Sequence, residues 1–191
     1  MSDAVSALAH RETHGSVQIR DTGLQGMITV RGDLSDGKLA AAVKAVTGLK
    51  LPDPLGLTEK GEASVLWMSP DELLILLPYT DVADALAKFG KAIKDSHHLA
   101  VDVSDARAVL AVEGPYVREV LAKLAPVDLH PDVLGPNTVV RSRLGQIAAG
   151  FWLREDGSAR VICFRSVAAY AFDLLAASAK AGPVGHFPRG T

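Results

Sequence analysis

Apolar residues in the first half of the chain alternate over short stretches and recur with helical spacing between them. A period of two is typical of half-buried strands, and spacings of three and four are typical of amphipathic helices. The predicted strands are residues 26–31, 64–68 and 72–77. The predicted helices are residues 37–47, capped by Ser35 or Asp36, and a second one that begins at Thr80 or Asp81.

The second half repeats this pattern. The predicted strands are residues 107–113, 138–144, 148–153 and 159–164. One helix is expected to start at Gly114-Pro115, with proline at its first position, and another is expected to be capped by Ser166. The order strand, helix, strands, helix therefore occurs twice.

Short sequence anchors recur in step with these elements, which suggests an internal duplication. Val30-Arg31-Gly32 matches Val112-Glu113-Gly114, and Leu66-Trp67 matches Phe151-Trp152. Several strands follow one another without a helix between them, which favours an α+β fold over a doubly wound sheet. We expect duplicated β-α-β-β-α-like halves within one domain. The expected boundaries are a flexible N-terminus at 1–15, a domain at 16–180 with halves at about 16–98 and 99–180, and a tail at 181–191.

Composition narrows the class of protein. Of 191 residues, 48% are hydrophobic and 22% are charged, and the net charge is −2, which is typical of a globular chain without a nucleic-acid-binding stripe. The longest apolar runs are much shorter than the roughly 20 residues of a membrane span. The first residues lack the basic and apolar regions of a signal peptide. We therefore expect a cytoplasmic protein that binds neither nucleic acid nor a membrane.

Residues that could carry chemistry are few, and no catalytic, cofactor-binding or metal site is predicted. Glycine-rich nucleotide loops and a Gly-x-Ser-x-Gly elbow are absent from the sequence. The lone Cys163 lies in an apolar run, which indicates a small buried side chain. The histidine pairs are His97-His98, which are adjacent, and His10 with His14, which lack apolar support. The acidic residues Asp102, Asp105 and Glu113 flank one strand and could serve in acid/base chemistry or as turn and cap residues.

Five residues are candidates for a partner interface. Arg141 and Arg143 share one face of a strand because they are two residues apart. Trp67 and Trp152 hold matching places in the repeat, either as core residues or as partner contacts. Phe187 lies in the Gly- and Pro-rich tail, where it could dock on a partner or belong to a disordered terminus. Trp and Arg are favoured anchors of protein interfaces.

Two family resemblances accompany these patterns. Residues 101–115, from Val101-Asp102-Val103-Ser104 to Gly114-Pro115, resemble a stretch of the folate-binding aminomethyltransferases, the T-protein group of glycine cleavage. Over about residues 15–180 the chain resembles the gamma-subunit family of heterotetrameric sarcosine oxidases. That likeness is carried by residues 143–147, residues 169–175 and Ser69-Pro70-Asp71-Glu72-Leu73-Leu74, with the early Gly32.

The resemblance implies a duplicated folate-binding-type fold and a place in a complex that demethylates sarcosine oxidatively to glycine. Hydrogen peroxide is formed there, and tetrahydrofolate accepts the one-carbon unit. It further implies that the large subunits hold FAD, FMN, NAD and folate, and that the smallest holds zinc. The gamma subunit is then an accessory chain that packs on the alpha subunit, with beta and delta completing the complex.

The sequence departs from the T-protein pattern at one position that matters for catalysis. The T-protein group places a catalytic Asp in a stretch that corresponds to Ile147-Ala148-Ala149-Gly150-Phe151, which contains no acid. The cysteine motif of the related iron–sulfur-maintenance proteins is also missing. A non-catalytic subunit is therefore the first hypothesis, and a stand-alone folate-binding protein or aminomethyltransferase-like enzyme is the alternative.

Overall fold

The computed structural model describes residues 4–94 and 97–187, which form eleven strands and four α-helices. The strands, β1 to β11 in chain order, are Glu12–His14, Gln18–Asp21, Gln25–Gly32, Leu57–Lys60, Ala63–Ser69, Glu72–Pro78, His98–Asp102, Arg107–Glu113, Val139–Leu144, Ile147–Leu153 and Ala159–Phe164. The helices, α1 to α4, are Gly37–Thr47, Val82–Ala92, Val117–Ala122 and Ala168–Lys180. The predicted α+β class is confirmed.

The strands form two antiparallel sheets in two compact units. A five-stranded sheet, in the order β4-β5-β6-β3-β7, belongs to the unit Leu24–Asp105. A six-stranded sheet, in the order β1-β2-β8-β11-β10-β9, belongs to the unit made of the residues up to Gly23 and those from Ala106 onward. The inner strands of the two sheets follow the same order, as a duplication predicts.

The core of the five-stranded unit lies between its sheet and the helices α1 and α2. Ile28 and Ile75 contribute from neighbouring strands, while Val43 and Phe89 contribute from the helices. Strand β6 reads as an unbroken apolar run because it is central and both of its faces are buried. Burial of this apolar surface is the main stabilising term of the unit.

The six-stranded unit repeats the scheme with α3 and α4. Leu110 and Phe151 on the sheet pack in one cluster with Leu121, Phe172 and Leu175 of the helices. In both units the helices cover one face of the sheet, and successive side chains of a strand alternate between that face and the opposite one.

Most element boundaries follow from local sequence signals, and two helix starts do not. Helix α1 begins where predicted, because the Asp36 carboxylate accepts a hydrogen bond from the Lys38 N–H at 2.8 Å. The predicted start of α3 at Pro115 is wrong. Gly114 has a φ of +131° and Tyr116 a non-helical conformation, so the chain turns before α3 begins. Ser166 lies in a short 3-10 turn and makes no side-chain cap to α4.

Four short strands were not predicted: β1, β2, β4 and β7. Two of them pair in an order that the chain does not suggest. Strand β2 directly precedes β3 but pairs with β8, and β7 directly precedes β8 but pairs with β3. Each half of the chain therefore contributes a strand to the sheet of the other half.

The N-terminal segment contains a short strand and is tied to a buried acid. Residues 12–14 form β1, and the buried carboxylate of Asp21 accepts hydrogen bonds from Ser6 Oγ at 2.6 Å and from the N–H of His10 at 3.2 Å. The domain boundaries given above remain a prediction. Among the described residues, none of the helices combines the length and the hydropathy needed to cross a bilayer.

Candidate functional site

Arg141 and Arg143 lie side by side on β9, at one edge of the six-stranded sheet. In the register with β10, Arg141 is opposite Gly150 and Arg143 is opposite Ala148. Both arginines are exposed, and Arg143 donates a hydrogen bond to Gln146 Oε1 at 2.9 Å across the β9–β10 turn. The structure thus confirms that they share a face, while their role in binding a partner stays a prediction.

A shallow surface pocket of about 390 Å³ adjoins Arg143. Its lining comes from the end of α3 with the following loop, and from the β9–β10 turn. Lys123 is part of this lining, but its ammonium group donates hydrogen bonds to the carbonyl oxygens of Ser178 and Gly182, each at 2.7 Å. Its charge therefore serves to hold the end of α4.

The two tryptophans lie on corresponding strands but on different faces. Trp67 is opposite Leu73, a residue of the core beneath α1 and α2, and is partly exposed. Trp152 is opposite Arg160, away from the core beneath α3 and α4, and is only 2% exposed. A one-residue offset in the sequence match reverses the face of a strand residue. Trp152 is buried although it faces away from that core, and Trp67 remains partly exposed on the core face.

Phe187 packs on its own chain. It is partly buried against the core of the six-stranded unit, and its ring lies 6.4 Å from that of His130 between centroids. The Glu119 side chain, on a helical residue that is only 3% exposed, accepts hydrogen bonds from the N–H groups of Phe187 at 2.8 Å and Val184 at 3.1 Å. The tail up to Phe187 is thus anchored by a buried acid that the sequence analysis had not singled out.

Burial works to raise the pKa of Glu119, but the N–H groups of Phe187, Val184 and His186 and the charge of His186 outweigh burial and hold this pKa below its usual value. The carboxylate is therefore ionised at neutral pH and acts as a fixed acceptor. The sequence offers little signal for this role, because Glu119 sits in an otherwise ordinary amphipathic helix.

The acids Asp102 and Asp105 each have a local structural partner. Asp102 Oδ1 accepts hydrogen bonds from the N–H and the hydroxyl of Ser104, at 2.9 and 2.5 Å. The Tyr79 hydroxyl donates to Asp105 at 3.2 Å. Ser104 Oγ in turn accepts from the N–H of Met27 at 2.9 Å, so that Asp102 supports the turn between β7 and β8.

Glu113 lies between two guanidinium groups. Its Oε1 is 3.1 Å from Arg20 Nη2 and 3.2 Å from Arg160 Nη1. Burial lowers the pKa of Arg160, and the charge of Glu113 acts in the opposite direction. This arrangement neutralises a half-buried cation on the sheet and engages the carboxylate fully.

The remaining polar candidates are also held in structural roles. Burial raises the pKa of the Cys163 thiol to about 11, so that the unreactive thiol form dominates at neutral pH. The His98 ring makes an edge contact with Phe89, with centroids 5.9 Å apart, and His130 Nδ1 lies 3.6 Å from Asp132. Within residues 4–94 and 97–187, no three His, Cys, Asp or Glu side chains come together in a metal-binding arrangement.

The stretch that would carry the T-protein acid forms the start of β10. Ala149 and Gly150 are buried there, and Gly150 lies between Arg141 and Ile162 in the sheet. The next aspartate along the chain, Asp156, accepts hydrogen bonds from the hydroxyl and N–H of Ser158 at 2.6 and 2.9 Å. The hydroxyl bond, more than any other interaction, holds the pKa of Asp156 below its usual value. This carboxylate is a turn residue.

The two antiparallel sheets with their helices place the chain in the fold class of the aminomethyltransferases. The structure superimposes on aminomethyltransferase T of the glycine cleavage system from Bartonella henselae with a TM-score of 0.63 at 12% identity. That match covers 93% of this chain and 49% of the other, and it shows a shared fold.

Sequence comparison identifies the family. Residues 31–181 match the model of the family described as "Sarcosine oxidase, gamma subunit family", and the chain belongs to this family. A sarcosine oxidase subunit gamma from Corynebacterium sp. (strain P-1) is 35% identical over 155 residues, which cover 80% of this chain and 74% of that relative. One from Arthrobacter sp. is 30% identical over 157 residues, with the same coverage of each chain.

A solved structure agrees with this assignment. A chain of the heterotetrameric sarcosine oxidase from Corynebacterium sp. U-96, in complex with pyrrole 2-carboxylate, matches with a TM-score of 0.80 at 25% identity. The match covers 92% of this chain and 94% of that one. The family resemblance inferred from the sequence is confirmed.

Proposed function

We propose that this chain is a non-catalytic accessory subunit of a cytoplasmic, heterotetrameric sarcosine oxidase and that it packs on the alpha subunit. The observation that carries the proposal is the match, over nearly the full length of both chains, to a chain of such a heterotetramer. The complex would demethylate sarcosine oxidatively to glycine, with formation of hydrogen peroxide and transfer of the one-carbon unit to tetrahydrofolate. FAD, FMN, NAD and folate would be held by the large subunits and zinc by the smallest.

The state of the candidate acids supports a role without catalysis. A general acid or base needs a carboxyl group that can reach the substrate and exchange its proton. Here Glu113 is held by two arginines, Asp102 by a turn, and Asp156 by Ser158. The stretch at 147–151 offers only apolar side chains on β10. Structural support of a partner is the function that this arrangement fits best.

Reconstitution tests the proposal directly. The chain is co-expressed with the alpha, beta and delta subunits of its own organism, and assembly is followed by size-exclusion chromatography together with peroxide formation from sarcosine. We expect the chain to elute with the complex in equal amounts, and we expect omission of the chain to reduce assembly. Complete assembly and full activity without it, with no co-elution when it is present, would refute the proposal.

A calorimetric titration separates this role from that of a stand-alone folate-binding protein. If the isolated chain binds tetrahydrofolate, the ligand must also raise its melting temperature, because a ligand that binds only the folded state stabilises that state. We expect neither heat of binding nor a thermal shift. The whole complex, titrated in parallel, serves as the positive control.

A further inference from the structure

The described residues leave four strands at the edges of the two sheets, and three of them carry features that discourage pairing with another chain. Strand β1 has only three residues, β9 carries the exposed Arg141 and Arg143, and β4 ends with the exposed Lys60. Short length and charged side chains are the usual protection of a sheet edge. Strand β7 has neither lysine nor arginine; its one charged residue, Asp102, stands at its end, and Leu99 and Val101 lie exposed along it.

The backbone of β7 is arranged to accept a further strand. The N–H of Val103 donates to the carbonyl of Met27 on β3 at 2.9 Å. Hydrogen bonding alternates along an antiparallel pair. The backbone N–H and C=O groups of Val101 and Leu99 therefore also point to β3, and those of Ala100 point away from the sheet. An incoming strand would meet these outward groups in regular register.

The side chains of β7 make the same edge apolar. Leu99 is 50% exposed and Val101 is 41% exposed, and both project from one face because they are two residues apart. Ala100 projects to the other face and packs on the core beneath α1 and α2. Paired exposed aliphatic residues on an open strand mark an interaction surface or an aggregation hazard.

The charge beside this strand indicates the chemistry of the partner. Asp102 ends β7 and Asp105 follows shortly after, and both are exposed. Their partners among the described residues are the hydroxyls of Tyr79 and Ser104 and the Ser104 N–H, none of which carries a charge. Within the part of the chain that the structure describes, no cation pairs with these two acids, so their charge is complementary to a cation of a partner.

We propose that β7 is the edge at which this chain takes up an extended, basic segment of another subunit, which adds a sixth strand to the five-stranded sheet. This inference rests on the proposed function, since it requires a complex. Main-chain hydrogen bonds to Ala100 hold the segment, its apolar side chains cover Leu99 and Val101, and a lysine or arginine lies near Asp102 and Asp105. Strand addition of this kind takes affinity from the backbone and specificity from alternate side chains.

Amide hydrogen exchange on the isolated chain and on the assembled complex tests the backbone part. We expect the Ala100 amide to exchange rapidly in the isolated chain and at least about tenfold more slowly in the complex, since a buried hydrogen bond must open before exchange. Equal exchange in both states would overturn the inference. Slow exchange in an isolated chain that elutes as a dimer would also overturn it, by assigning the edge to a second copy.

Substitution tests the side-chain part. In the double variant Leu99→Lys/Val101→Lys, two cations replace the aliphatic contacts and face a basic segment. We expect the dissociation constant of this variant from the complex to rise roughly a hundredfold, as loss of two well-packed contacts predicts. The matched control is Val133→Lys, which adds a lysine at a site that is 63% exposed and does not belong to β7, and it should assemble normally.

The outcomes separate the inference from the proposed function. If the unaltered chain never joins the complex, both fail. If the unaltered chain joins and the double variant joins equally tightly, the assignment of β7 fails and the proposed function stands. Circular dichroism and urea unfolding show whether the double variant folds. If it does not fold, the amide exchange of Ala100 in the unaltered chain tests the assignment of β7.

Discussion

The anchoring of the C-terminal tail by Glu119 can be tested by removing the acid while leaving the helix intact. Glu119→Gln keeps the length and one acceptor oxygen, and Glu119→Ala removes both acceptors. In Glu119→Ala the N–H groups of Val184 and Phe187 both lose their partners, at 3.1 and 2.8 Å. Phe187 lies against the core, so that detachment of the tail also exposes apolar surface.

The size of the effect follows from these contacts. A hydrogen bond to a charged group contributes about 1.5–3 kcal/mol, and water replaces part of that when the donors are near the surface. Val184 is 76% exposed, which favours such replacement. We therefore expect Glu119→Ala to lower the free energy of unfolding by about 2–4 kcal/mol, and Glu119→Gln by about half as much.

The dependence on pH gives a second readout. The folded-state pKa of Glu119 lies below its unfolded value, which is about 4.3 for a free glutamate. The stabilisation is therefore fully present above the unfolded pKa and is lost as the pH falls through the lower folded pKa. The tail should remain docked at neutral pH and detach only in acid, whereas the Gln variant should show no such transition.

Urea unfolding and the amide exchange of Val184 and Phe187 measure both effects. The control is Glu62→Gln, at an exposed turn residue, which should change stability by less than about 0.5 kcal/mol. If Glu119→Ala unfolds at the same urea concentration as the unaltered chain, and the two amides exchange at unchanged rates, then the reasoning about this anchor is wrong.

Three further predictions follow from single residues. Cys163, with its pKa raised to about 11, should resist thiol reagents at pH 8 in the folded chain and react fully in urea, and rapid labelling of the folded chain would contradict its burial. Gly145→Ala should destabilise the chain by more than Gly157→Ala, as urea unfolding will show. Both glycines have a positive φ, but a Cβ at Gly145 would lie 2.7 Å from Leu174 Cδ2, whereas Gly157 is open. Asp21→Ala should lower the free energy of unfolding by about 3 kcal/mol, because this buried carboxylate accepts hydrogen bonds that hold the N-terminal segment. The same variant should expose that segment to proteases. Unchanged resistance to cleavage would argue against this role of Asp21.

The sequence predicted the elements whose local signals are strong. The strands at 107–113 and 159–164 and the helix at 37–47 have the bounds that periodicity and capping indicate. The family could also be inferred, because many modest matches are spread along the chain, and the family model matches residues 31–181. For the candidate site, the sequence indicated that Arg141 and Arg143 share a strand face, since that depends only on a period of two.

Other features arose only from residues that are distant in the sequence. Glu119 and Asp21 look like ordinary surface acids until the tail and the N-terminal segment bring backbone donors to them. Trp152 and Trp67 match in sequence, but they lie on opposite faces of their sheets and differ in exposure. The residues that surround each of these side chains are distant in the sequence, so no local pattern indicates them.

The sequence by itself therefore determined the α+β class and the long central strands, which depend on periodicity within a window of neighbouring residues. It also determined the family, through a resemblance that is spread along the chain. The tertiary structure decided which sheet received β2 and which received β7. Strands β2 and β7 are short and partly polar, so they carry little periodic signal, and each pairs with a strand from the other half of the chain. Strand pairing is chosen by the hydrogen-bonding edge that is open in space, and adjacency along the chain does not specify it.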